Sequence, residues 1–497
     1  MRTNFFAGTD KVEQAQQKKG IAYKWLAIIT VAIGTYMSTL DASIVNISFP
    51  RLTDVFHTDP SVVLWVSVAY LLVSVSLVFI FGKIGDYYGR KKVYAAGFGL
   101  FTVGLVLCTL SGSIIQLILA RVVQAVGAAM TVALGTAITT AVFPPQERGK
   151  SLGILGATVS AGLLSGPVIG GVLVQTLDWR AIFYVTIPVA LVGMVMALVC
   201  LKEQRVSEGR FRFDWWGAAS LSLGLACLLL FFNIGGETGF GRPVVIMFAA
   251  VAAMLAAAFV IIERRVTQPI LELSLFRNRL FAAGNVSLVI MFLAMAANTF
   301  LMPFYLIEGV GFNPAEAGAL YASVSVAALV IGPISGWLSD RIGYRLLCTA
   351  GITLMCGGIF WLSRLGANAT ASDILPRLAM MGIGSGLFSS PNNSSIMGSV
   401  PREKLSTGSA MIATVRQVGM SCGTAIAGAL FENRQAAHLA RLTASDPGAV
   451  DAGSLALIGS YRDALMVAAI ICVVAIFTSL ARGGGRAQAS LVQAGHK

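Results

Sequence analysis

GKIGDYYGR, running from Gly82 to Arg90, returns 254 residues later as GWLSDRIGYR, from Gly336 to Arg345. Two further matches keep nearly the same spacing. ILAR ending at Arg121 pairs with ILPR ending at Arg377, an offset of 256 that also aligns Pro145, Glu147 and Arg148 with Pro401, Glu403 and Lys404. GPVIGGVL (Gly166 to Leu173) pairs with GTAIAGAL (Gly423 to Leu430) at 257. Three matches in the same order mark a duplicated unit.

The material between these matches is apolar. Of 497 residues, 56% are hydrophobic and 12% charged, and the mean hydropathy is +0.79. A soluble domain carries about a quarter charged residues, so a soluble fold is excluded. Apolar runs near twenty residues recur, each long enough to cross ~30 Å of hydrocarbon as a helix. Their number predicts an all-α integral membrane protein with 14 transmembrane helices, sorted by the repeat into two six-helix bundles and an inserted two-helix hairpin. The predicted boundaries are a tail at 1–24, a first bundle at 25–201, a linker with two accessory helices at 202–279, a second bundle at 280–481 and a tail at 482–497. The segment before the first span has no apolar core followed by a small-residue cleavage site, so no removable signal peptide is expected.

Lys and Arg count 26 in the tails and alternate loops that share one side, against 8 in the loops between them. The positive-inside rule places both termini in the cytoplasm. The net charge of +13 then reads as topology and attraction to anionic lipid, with no nucleic-acid partner needed. The seven cysteines show no CxxC spacing and are expected as small packing residues, while His57, His438 and His496 fall in loops or the tail. No metal-ligand cluster, hydrolytic triad or phosphate loop is readable.

Polar residues inside an apolar helix are costly, and their placement points to a function. Asp41 is the only carboxylate deep in the first six spans, at ~2.5–3.5 kcal/mol on insertion scales. Gly34, Ser38 and Asp41 share a helix face, as do Arg121, Gln124, Ala128, Thr131 and Gly135, and Ser38 and Gln124 are the substrate-cavity candidates of the first half. Asp41 and Arg121 sit at similar depth, which predicts that the faces meet and that Asp41 alternates between an ionised, Arg-paired state and a desolvated, protonated one. Gly162, Gly166 and Gly170, with Pro167 and Gly171 beside them, form a flat packing face. Asn285, Asn298, Asn392, Asn393, Arg416 and Gln417 are candidates for substrate contact in the second half. Glu308, Glu316 and Asp373 are expected to be solvated.

These residues resemble the major facilitator superfamily. Gly82, Gly85, Asp86, Gly89, Arg90 and Lys91 fit its G-x-x-x-D-x-x-G-R-K/R loop signature, and Asp340 marks the second copy, where Tyr344 stands in place of the expected Arg. LDASIVNISFP (Leu40 to Pro50), Arg121 followed by QAVGAA, and LSGPVIGGVL (Leu164 to Leu173) resemble signatures of its fourteen-helix drug:proton antiporter branch. The resemblance implies proton-coupled export of small lipophilic or amphiphilic compounds from a bacterial inner membrane, driven by the proton gradient without a cofactor. Asp41 and Arg121 would couple protons, the fifth-helix glycines would prevent leak, and the loop signature would act as a latch, with Asp86 taking backbone amides at a helix N-terminus and Arg90 and Lys91 anchored at the lipid surface. Partners would be the small-molecule substrate, protons and lipid around a monomer, a periplasmic adaptor protein being left open. Export of one metabolite, lipid or siderophore, a non-transporting sensor on the same fold, and a membrane-embedded enzyme are the competing readings. The last would need paired catalytic groups, which are not visible.

Overall fold

Hydrocarbon offers a peptide group no water, so a spanning segment must satisfy its backbone internally, and an α-helix does so within one stretch of chain. The computed structural model describes residues 6–203, 213–266, 268–445, 452–480 and 482, and these are helical almost throughout. In the first half, α1 (Phe6–Ile47), α2 (Phe49–Phe56), α3 (Pro60–Tyr88) and α4 (Arg90–Leu110) are followed by α5 (Ile114–Val142), α6 (Arg148–Thr176) and α7 (Ala181–Cys200). Next come α8 (Trp215–Thr238) and α9 (Pro243–Glu263). The second half holds α10 (Arg279–Phe304), α11 (Pro314–Ile342), α12 (Tyr344–Leu362), α13 (Ala371–Gly398), α14 (Leu405–Ser445) and α15 (Ala452–Leu480).

Helix ends follow local chemistry. Ser113, Asp214 and Asn278 accept a backbone N–H at the starts of α5, α8 and α10. Reciprocal capping boxes, Asn313 with Glu316 and Thr370 with Asp373, start α11 and α13, which gives these exposed acids a structural role beyond solvation. The duplicated loop turns on a single glycine in each copy, Gly89 at φ 112° and Gly343 at φ 87°, a region that side chains with a Cβ avoid.

Fourteen of these helices are long, and twelve are long and apolar enough by composition to cross a membrane. The exceptions, α13 and α14, carry Arg377, Asn392 and Asn393 or Arg416 and Gln417 among many Ser, Thr and Gly residues, which lowers their hydropathy although both pack within the second bundle. Helix α14 continues past Phe431, where the sequence suggests an end. The extension ENRQAAHLARLTAS has no Gly or Pro and is rich in good helix formers. His438 therefore lies on a helix rather than in a loop, with Nε2 3.1 Å from Asp463 Oδ2. His496 lies outside the described residues.

Helices α1 and α3 to α7 pack on one another as the first bundle, and α10 to α15 as the second. The hairpin α8–α9 touches both, α8 lying against α3 and α14. Ser222 Oγ donates to Ser76 O at 2.6 Å, and Gly236 lies against Ala425. Large apolar side chains such as Leu110, Val199 and Trp216 remain exposed and form the lipid-facing surface.

Glycine sets the closest approach of α4 to α5. A Cβ on Gly104 would lie 2.5 Å from Gln124 Cα, and backbone cannot swing aside. Gly104→Ala is expected to destabilise the bundle by about 1–3 kcal/mol, as overpacking does, read as a fall of several degrees in the thermal midpoint in detergent. An unchanged midpoint would show that the two helices have slack.

Candidate functional site

Asp41 and Arg121, 80 residues apart, meet in the middle of the first bundle. Arg121 Nη1 donates to Asp41 Oδ2 at 2.7 Å and to Gln124 Oε1 at 2.6 Å. Gln124 Nε2 donates to Asp41 Oδ1 at 2.8 Å, closing a three-membered ring of side chains. Arg121 Nε reaches Val66 O at 3.3 Å, and its guanidinium lies over the Tyr70 ring at 4.2 Å. Each of the three is at most 1% exposed. Helical spacing explains the arrangement, because Arg121 and Gln124 are three apart and project together from α5 toward α1.

A buried ion pair survives only with its remaining lone pairs and protons satisfied, and this ring satisfies both carboxylate oxygens. Protonating Asp41 would remove the charge that holds Arg121 and leave a buried guanidinium without a counterion. The ring therefore ties the Asp41 carboxylate to its counterion and to one neutral donor. Gln124, expected at the substrate cavity, instead belongs to this ring.

The ring's helix is tied to α6. Ser43 Oγ donates to Gly162 O at 3.1 Å, and Tyr36 and Ser165 hydroxyls lie 2.9 Å apart. A Cβ on Gly162 would run into Thr39, one on Gly166 into Ser43, and one on Gly170 would lie 2.7 Å from Ile44 Cγ1. These three glycines face the α1 stretch that carries Asp41. Gly171 does not join that face, since a Cβ there meets nothing within 4 Å, and Pro167 is exposed.

The hydrogen bonds between bundles gather at the end that carries the duplicated loop. Asp340 Oδ1 and Oδ2 accept from Gly149 N at 2.8 Å and Lys150 N at 2.9 Å, in the first turn of α6, where the helix dipole favours an anion. Asp86 occupies the equivalent place opposite α14, where Ser406 Oγ donates to its Oδ1 at 2.6 Å. The sequence suggests backbone amides for Asp86 and a lipid anchor for Arg90, and both expectations are corrected. Arg90 is 2% exposed, pairs with Asp86 at 2.7 Å and reaches Arg402 O at 3.4 Å. With α3 turning sharply at Gly89, the Arg90 side chain folds back onto the carboxylate one turn earlier. Lys91 is half-buried, Gly82 lies against Ser406, and Gly85 lies against Leu134.

Small residues let α6 and α11 touch backbone to backbone at the same end. A Cβ on Gly149 would strike Gly336 O, and one on Gly153 would lie 2.7 Å from Gly332 O. Ser390 Oγ donates to Gly149 O at 3.0 Å. The segment after α9 crosses the closure, with Lys83 Nζ donating to Pro269 O at 2.9 Å and Lys404 paired with Glu272. Gly149, Gly153, Gly332, Ser390 and Ser406 were not singled out from sequence, although the two small-xxx-small spacings were readable.

Above this closure lies a cavity of about 100 Å³ between the bundles. Helix α1 contributes Gly34, Thr35, Ser38 and Thr39, and α5 contributes Thr131, Gly135 and Thr136. Across from them stand Asn393 of α13 with Ser409 and Arg416 of α14. Of the sequence candidates, Ser38, Asn393 and Arg416 line this space, whereas Asn285, Asn298, Asn392 and Gln417 do not. Asn285, Asn298 and Asn392 are buried within the second bundle and Gln417 is half-buried. Asp41 is absent from the lining, but Ser38 precedes it by one helical turn. Among the described residues no group of His, Cys, Asp and Glu is arranged to hold a metal ion.

The sequence profile of the Major Facilitator Superfamily matches residues 31–424. The riboflavin transporter RibZ of Clostridioides difficile (strain 630) is 36% identical over 410 residues, covering 82% of this chain and 88% of that one. The tetracenomycin C resistance and export protein of Streptomyces glaucescens is 29% identical over 410 residues, covering 82% and 76%. The crystal structure of the human organic anion transporter MFSD10 (TETRAN) matches with a TM-score of 0.63 at 15% identity, covering 90% of this chain and 99% of that one. At that identity the likeness speaks to fold alone.

Proposed function

Because this chain belongs to the major facilitator superfamily, whose members here are multi-pass membrane transporters of small molecules, we propose that it is a proton-coupled antiporter exporting small lipophilic or amphiphilic compounds, drugs among them. The observation that carries this reading is the Asp41–Arg121–Gln124 ring, set one helical turn from a cavity between two bundles. Family membership supplies transport, and the ring supplies a titratable group that a proton gradient can drive.

In the proposed cycle these contacts act in sequence. With Asp41 ionised, Arg121 holds α1 against α5, and the closure on the basic, cytoplasmic side is intact. A proton arriving from outside neutralises Asp41 and frees Arg121 to turn toward other acceptors. Movement of α1 carries α6 with it through Gly162, Gly166 and Gly170. The base of α6 is the element that Asp340 grips, so the same shift loosens the closure and opens the cavity inward. Drug-sized ligands need several hundred Å³, which the cavity reaches only as the bundles rock apart. Each proton moving inward gains about 2.3 kcal/mol per 100 mV of membrane potential.

The proposal places both termini in the cytoplasm, the protein in a bacterial inner membrane as a monomer, and the hairpin of the 202–279 linker as a bridge between the bundles at 25–201 and 280–481. Transport of one metabolite is a second reading, favoured by the 36% identity to a relative named for riboflavin. Proteoliposomes with an acidic interior and an internal pH-sensitive dye test the proposal. Ethidium, riboflavin and neutral aromatic drugs are added in turn, and at least one is expected to release protons in a protein-dependent manner. Detectable binding with no proton movement for any compound would contradict antiport.

A further inference from the structure

We infer that the exported substrate carries one negative charge, and that Arg416 is the residue that binds it. The inference rests on the export reading and specifies the substrate class for the same cavity. Arg416 lies about 16 Å along α14 from Leu405 at 1.5 Å per residue, too deep to extend its charge to water at the helix end. It lines the cavity and forms no hydrogen bond or ion pair with any described residue. Arg121, buried in α5, is by contrast neutralised by Asp41 at 2.7 Å. No carboxylate lines the cavity, and Asp41, the carboxylate closest in the chain to its lining, is 1% exposed with both oxygens bonded. The cavity therefore presents one uncompensated positive charge to whatever enters it.

Two further lining atoms lack a protein partner: Ser38 Oγ from the first bundle and Asn393 Oδ1 from the second, both buried. The two atoms belong to different bundles, so the cavity that holds Arg416 offers a hydrogen-bonding group on each of its two walls. A guanidinium presents a planar fork that matches a carboxylate or phosphate, so the ligand chemistry that fits is an aromatic or amphiphilic monoanion with a further polar substituent. A cationic drug would meet repulsion from Arg416 with no acid to offset it.

The charge also enters the transport balance. Exchanging one proton inward for one monoanion outward moves two charges across the membrane, whereas a neutral substrate moves one. An anion is thus the substrate that the membrane potential drives hardest through this exchange.

The test uses three probes of nearly one shape: 1-naphthoate, neutral 1-naphthamide and cationic 1-naphthylmethylammonium. Binding to the purified full chain is measured at fixed pH without any gradient, for the parent, Arg416→Gln and Arg416→Lys. Naphthoate is expected to bind about 10–100-fold more tightly than the other two, the range of a charge-assisted hydrogen-bonded contact. Arg416→Gln should erase that preference, and Arg416→Lys, which keeps the charge without the fork, should retain part of it. Equal or tighter binding of the cation, or a preference that persists in Arg416→Gln, would overturn the assignment. If the Gln variant does not fold, the Lys variant and the neutral amide still rank the charge. Selective naphthoate binding with no accompanying proton movement in vesicles would instead remove proton antiport and leave the anion site standing.

Discussion

Asp41→Asn is expected to bring substrate-induced proton movement in proteoliposomes down to that of protein-free vesicles. Asparagine is nearly isosteric, and its Oδ1 can still accept from Arg121, so this contact is kept although the guanidinium loses its counterion. What disappears is the titratable group. Without it the proposed cycle has no group at this position to exchange a proton for substrate. Arg121→Ala should fail differently. It leaves a buried carboxylate without its counterion, a change that costs about 3–5 kcal/mol if the charge stays. The variant has no Arg-held carboxylate state for the proposed cycle to return to, so it should lose transport without losing substrate binding. Proton movement in Asp41→Asn equal to the parent would remove this carboxylate from the mechanism. A pH-dependent signal retained in Arg121→Ala would show that the pairing does not set the balance.

The second large effect is expected at the closure. Asp340 accepts from two amides of α6 at 2.8 and 2.9 Å, and Asp86 from Ser406 at 2.6 Å. Hydrogen bonds to charged groups contribute about 1.5–3 kcal/mol each, so neutralising one acid should shift the balance between closed and open forms by about 10–100-fold. Asp340→Asn is expected to open the loop-signature end more often, and Gly336→Val to do so sterically, because its side chain would collide with Gly149 O. A single cysteine at Ser409, placed in the cavity of a cysteine-free background, reports this. Its labelling by a polar maleimide from the side that carries the duplicated loop should rise in both variants. Unchanged labelling would mean that these contacts do not hold the bundles together.

Much of the fold was legible because hydrocarbon imposes a single period and length on the chain, and because GKIGDYYGR and GWLSDRIGYR fix where the duplication falls. The pairing of Asp41 with Arg121 was legible for a related reason. Depth in a membrane is a one-dimensional coordinate that residue counting supplies. Azimuth around each helix is not supplied by counting. Gln124 shares a helix face with Arg121, yet the direction of that face decides between cavity and ring. Asn285, Asn298 and Asn392 look like cavity residues from polarity alone, but helix rotation buries them within their own bundle. Arg90 was read as a lipid anchor because a basic residue at a helix start usually reaches water. The positive-φ turn at Gly89 directs it back onto Asp86 instead. The glycine contacts of α6 with α11 depend on two helices from different halves of the chain, so spacing marks the small faces without saying which two meet.

The most direct test of proton–substrate exchange needs no vesicle. Purified protein in weakly buffered detergent solution, titrated with a compound already shown to bind, reports any protons released on binding through a pH indicator. Exchange at Asp41 predicts release by the parent protein and none by Asp41→Asn at the same substrate occupancy. Equal release from both would contradict it and place the coupled proton on another group.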